Sequence, residues 1–167
     1  YVLFVLKRAR EAGLEVPEET LKRARSFLSS WLQTSRSPPA DQPPWWRTYL
    51  LDTAALVLFV LTEDQERHDE QARWLYQNFG ERDLFAKAML AAVFHRMDPA
   101  GSERRALLQE LYNRVVQTPA AVRFVEDQSE ALRLLMHSSS RTDAIALLCL
   151  LQGDPKSELL PKIVRGL

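Results

Sequence analysis

The chain has one cysteine, Cys149, five glycines and no surplus of either charge. A single thiol excludes an internal disulfide framework and leaves the redox compartment open. Glycines scattered singly leave no Gly-rich loop to cradle a phosphate. Lys plus Arg equal Asp plus Glu at 22 each, so no global field recruits nucleic acid or an anionic lipid surface. The longest apolar runs fall well short of the roughly 20 residues a membrane span requires. His68, His95 and His137 stand apart, with no His-x-x-x-His pair and no Cys-x-x-Cys. No metal or cofactor site is therefore expected.

What is present is an ordinary globular balance. Apolar residues make up 46% and charged residues 26% of 167 positions, enough for one domain with a real core or for part of a larger one. The chain opens on the apolar run Tyr1 to Leu6 without a cap and closes at Arg165-Gly166-Leu167 inside an amphipathic stretch. Both ends look like cuts in a longer polypeptide, so the missing targeting signal says nothing about location. Residues 1–167 read as a single domain or domain fragment.

Arg141 to Leu151 organises the reading. A polar start leads into eight apolar residues, Ala144 to Leu151, and Gly153, Asp154 and Pro155 stop the run. A helix apolar on every side must be covered on every side, so other helices are expected around it. The spacing elsewhere predicts heavily apolar helices over 2–12, 49–61 and 84–97, and amphipathic ones over 19–33, 66–79, 102–117 and 157–166. The four prolines between Thr34 and Pro44 mark a loop, and Trp45 and Trp46 are expected to anchor its end against the bundle. Ala120 to Val125 suits an extended piece or short strand, Ala131 to Met136 a short helix, and Ser138 to Ser140 a loop. Alternation of buried and half-exposed helices predicts an all-α fold of about four helical hairpins in a double layer. An α-solenoid keeps such a layer open, and an α/α toroid closes it into a ring.

No self-contained catalytic set emerges. Cys149 lies inside an apolar helix and reads as a buried small hydrophobe rather than a nucleophile. His95 follows Phe94 on a dense helix and reads as a satisfied structural histidine. Asp52, with Thr53 beside it, and Asp143 lie in or next to the two most apolar helices, where a carboxylate can act with a raised pKa. Capping a helix start, or pairing with an arginine such as Arg47 or Arg141, is the reading we favour for both. Ser138 to Ser140 have no base at a recognisable spacing. Lys7, Arg8 and Arg10 form a small basic cluster beside Glu11 and Glu15, read as a solvated face.

Four stretches resemble the thioester domain of bacterial alpha-2-macroglobulins, large proteinase-trapping relatives of complement components. They are Tyr1 to Leu6 with Ala9 and Val16-Pro17; Asp52-Thr-Ala-Ala55 with Leu58 to Glu63; Leu84, Ala86-Lys-Ala88 and Leu90-Ala91; and Ser140 to Leu147 followed by Asp154-Pro155 and Leu159 to Leu167. The likeness covers essentially the whole chain, and its order and spacing are more specific than any one motif. It implies an α/α toroid of about six hairpins, of which the present four make a partial ring. It also implies a proteinase-inhibiting parent in which a cleaved bait region triggers capture through an internal Cys–Gln thioester, an activated acyl group open to amines. The implied setting is periplasmic, with any anchoring to the inner membrane through a part outside this stretch. Implied partners are proteinases, reached through the parent, and the parent's other domains. The family's Cys-x-Glu-Gln motif is absent here. Cys149 and Gln152 stand in the Arg-Thr-Asp helix, not at the thioester position, so no catalytic, cofactor or metal residue is carried over. The resemblance therefore assigns this segment the task of shielding and positioning a thioester, with no enzyme activity of its own. A helical-repeat scaffold that binds protein partners is the alternative.

Overall fold

The computed structural model describes residues 1–36, 43–64, 66–78, 83–119, 121–125 and 138–167. Helix α1 runs over Val2–Glu11 and ends where Gly13 adopts φ +85. Leu14 N–H then reaches the Ala9 carbonyl and Gly13 N–H the Arg10 carbonyl, both at 3.0 Å, which satisfies carbonyls that the helix itself cannot. Helix α2 spans Glu18–Thr34, with Pro17 before it and Glu18 and Glu19 in its first turn. Helix α3, Pro44–Thr62, starts earlier than the apolar run suggested. Pro44 stands in its first turn, where a proline's fixed φ is already helical and its missing N–H costs nothing. Trp46 thus belongs to the helix, half-buried with its ring 5.4 Å from that of Tyr49.

Helix α4 covers Asp69–Asn78, α5 Leu84–Met97 and α6 Ser102–Asn113. The predicted stripe carried α6 on through Val115 and Val116, but the helix stops at Asn113. Val115–Gln117 instead forms strand β1, antiparallel to β2, Val122–Phe124, with Val115 opposite Phe124. β-branched residues beside a Thr-Pro turn lose little by leaving a helix and gain a cross-strand partner. The extended piece expected within 120–125 is β2. Helix α7, Ser139–Gly153, begins before Arg141: Ser138 is its N-cap, its hydroxyl accepting from Arg141 N–H at 3.3 Å. Helix α8 is Leu160–Gly166. Gly166 permits the approach to β2, because a Cβ there would stand 2.6 Å from the Val122 carbonyl oxygen. The short helix expected over 131–136 lies outside the described residues.

Among the described residues the fold is all-α apart from the β1–β2 hairpin. Helix α5 packs against α3 on one side and α7 on the other, while α4 bridges α3 and α5, and α6 lies against α5. Helix α2 sits against α1 and α3, and α8 against α7 and β2. Helices α3, α5 and α7 therefore neighbour one another, α1 reaches α3 through the Lys7–Val60 hydrogen bond, and the even-numbered helices lie against them. The enclosed helix is α5, not α7. Every residue of α5 from Leu84 to Phe94 except Lys87 is buried, and Ala86, Ala88, Ala91 and Ala92 let its neighbours approach closely. Helix α7 has Leu151 half exposed and Ala144 exposed. An unbroken apolar run shows that a helix is poor in polar residues, not how many neighbours it has.

Candidate functional site

Among the described residues two places gather chemistry, at opposite ends of the odd-numbered helices. At the C-terminal ends of α3, α5 and α7, last-turn carbonyls lack partners within their own helices and concentrate partial negative charge. Cations meet them. Lys7, only 3% exposed, donates to the Val60 carbonyl at 3.0 Å and lies 3.1 Å from both Glu63 Oε2 and Asp64 Oδ1. Arg96 donates to the Phe59 carbonyl at 2.6 Å, to Thr62 Oγ1 at 3.1 Å and to Gln152 Oε1 at 3.0 Å, so one guanidinium ties α5 to both flanking helices. Its plane also lies over the Phe59 ring, 4.5 Å from the centroid. Arg104 donates to the carbonyls of Gly153 and, at 2.9 Å, Pro99. Glu63 and Asp64 collect further partners, Arg8 at 2.5 Å and Arg25 at 2.9 Å.

A cleft of about 460 Å³ opens beside this network, lined by Thr62, Glu63, Glu66, Arg67, His95 and Arg96 with Met97. His95 is not the satisfied histidine expected: its Nδ1 is buried without a hydrogen-bond partner among the described residues. Burial, then the nearby Arg104 and Arg96 charges, hold its pKa below the ordinary imidazole value, which favours the neutral ring. His68 Nε2 lies 3.3 Å from Glu66 Oε2. Among the described residues no three His, Cys, Asp or Glu side chains converge as a metal site. His137 lies outside those residues.

Where the other end begins, α1, α3, α5 and α7 enclose a second cleft of about 250 Å³, whose lining includes Tyr49, Asp52, Phe85 and Arg141. The Arg141 guanidinium lies over the Phe85 ring at 4.2 Å. Asp52 and Asp143, parallel candidates in the sequence, part company. Asp143 is fully buried and does not cap α7: its Oδ1 accepts from the Phe124 backbone N–H at 2.9 Å, and the arginine beside it is Arg123, 3.6 Å from Oδ2. It fastens β2 to α7. Asp52 and Thr53 instead line the second cleft, both half-buried.

Cys149 is 1% exposed on α7, and burial pushes its thiol up to about 12. A thiol so held supplies no thiolate near neutrality. The solvated-face reading of the basic cluster holds for Arg8 and Arg10, which pair with Glu11 and Glu18 at 2.7 and 2.8 Å, and fails for Lys7. The missed signal is positional: Lys7 follows Leu3 by four residues, on the face α1 buries. Nothing in the spacing announced that Glu63 and Asp64 would meet it. Comparison with known protein families, with curated proteins and with solved structures found no match.

Proposed function

We propose that this chain is part of the thioester domain of a bacterial alpha-2-macroglobulin-like proteinase inhibitor, where it shields and positions the capture group. The observation that carries the reading is the alternation itself. Helices α3, α5 and α7 pack side by side, α1 reaches α3 through Lys7, and the even-numbered helices lie against these, in the order in which the four resembling stretches occur. The Ser140–Leu147 stretch, the most specific of these, forms the start of α7, where Asp143 joins helix to hairpin. A supporting role also suits Cys149, whose buried thiol offers no acyl acceptor. On this reading the partial ring closes with helices elsewhere in the parent, the parent acts in the periplasm, and the segment has no turnover of its own.

Methylamine treatment of the parent polypeptide provides the test. The reading expects a Cys-x-Glu-Gln motif upstream of Tyr1, release of a titratable thiol other than Cys149, and loss of covalent proteinase capture. A parent with neither the motif nor a releasable thiol overturns it. The second reading, a non-enzymatic helical scaffold, draws on the same layered packing and on exposed Tyr1, Val2, Val5 and Phe27 along α1 and α2. Recovery of one stoichiometric partner unrelated to proteinases favours the scaffold.

A further inference from the structure

We propose that the cleft between α1, α3, α5 and α7 is a binding site for a free α-amino acid with an aromatic or branched aliphatic side chain. Its long wall is one face of α3. Tyr49, Asp52, Thr53, Leu56, Val57 and Val60 stand at positions i, i+3, i+4, i+7, i+8 and i+11, so all six share that face. The face is graded, with the hydroxyls and the carboxylate in its first turns and only aliphatic groups beyond. Leu3 and Phe4 of α1 and Leu28 of α2 continue the apolar lining.

The polar end carries both signs of charge. Arg141, from the first turn of α7, lines the same cleft as Asp52, and its guanidinium is stacked on Phe85 at 4.2 Å. A stacked guanidinium keeps its N–H groups in a fixed plane, which suits a carboxylate. Asp52 suits an ammonium group. A zwitterion with an apolar body offers a counter-charge to each of these two groups, whereas a singly charged amphiphile offers a counter-charge to one. Size narrows the choice further. About 250 Å³ falls below the roughly 300–1,000 Å³ of sites for drug-sized ligands, so a nucleotide or lipid is too large and a single amino acid fits. Asp52 and Arg141 already hold interactions within the protein, so a ligand head exchanges partners with them, and millimolar affinity is expected.

Calorimetric titration of the 167-residue chain with L-phenylalanine, L-leucine, 3-phenylpropionate and phenethylamine tests the site. Saturable binding of the two amino acids is expected, with each singly charged analogue about tenfold weaker. Asp52→Asn and Arg141→Gln should each erase that preference, and Leu56→Trp should block binding by filling the apolar half. Equal binding of all four probes, or no saturable binding of either amino acid to the unmodified chain at millimolar concentration, overturns the proposal. That result needs no variant to fold and leaves the thioester-domain reading untouched.

Discussion

Lys7→Met isolates the buried cation that the structure places at the end of α3. The substitution keeps most of the apolar stem and deletes the ammonium group. Three interactions go with it: the hydrogen bond to the Val60 carbonyl and the ion pairs to Glu63 and Asp64. Removing one partner of a buried pair costs about 3–5 kcal/mol, because the charge left behind is desolvated and uncompensated. Here the acids are not abandoned, since Arg8 still meets Glu63 at 2.5 Å and Arg25 still meets Asp64 at 2.9 Å. The Val60 carbonyl loses its side-chain donor. We therefore expect the lower end, about 3 kcal/mol, or roughly 6–12 °C in Tm for a chain of this length.

The acid limb of the stability curve supplies a second readout. Burial alone raises the Asp64 pKa, but hydrogen bonds and charge from Lys7, joined by Arg25, carry it below the ordinary carboxylate value. A depressed folded pKa contributes stability that is present above about pH 4 and lost as pH falls through the folded value. Without Lys7 the depression shrinks, so the variant should lose less stability than the parent protein between about pH 4 and pH 2. Urea unfolding at both ends of that window measures each quantity from the midpoint at constant slope. A Lys7→Met protein within about 0.5 kcal/mol of the unsubstituted one near neutrality would refute the buried-cation argument, since ordinary surface substitutions fall inside that range.

Other perturbations follow from the same geometry. Gly13→Ala places a Cβ on a residue at φ +85 and should cost about 1 kcal/mol in chemical denaturation; no loss would mean that the α1 terminus relaxes freely. His95 has a folded pKa below its unfolded value of about 6.5, so the stability it supports is present above that pH and declines as pH falls beneath it. His95→Gln should flatten the decline between about pH 7 and 5, and identical slopes would refute the assignment. Cys149 should resist an aromatic disulfide reagent in the folded protein and react fully once denaturant is added, and rapid reaction without denaturant would contradict its burial.

The sequence by itself determined the helical class, because apolar spacing near 3.6 is a local property of each segment. Leu84–Met97 emerged with the bounds expected, since an acidic residue precedes a dense apolar stretch and Asp98 and Pro99 follow it. Cys149 was legible as buried for the same reason. Tertiary structure decided which apolar helix is enclosed: α5 has neighbours on both sides, whereas α7, with the equally apolar run, leaves Leu151 half exposed. It also decided the partners of charge. Asp52 and Asp143 look alike in sequence, yet one lines a cleft and the other holds a strand backbone. Lys7 meets Val60, Glu63 and Asp64 across more than fifty intervening residues. Helix periodicity is written in neighbouring residues, but an ion pair or a cleft is written in distances that exist only after packing.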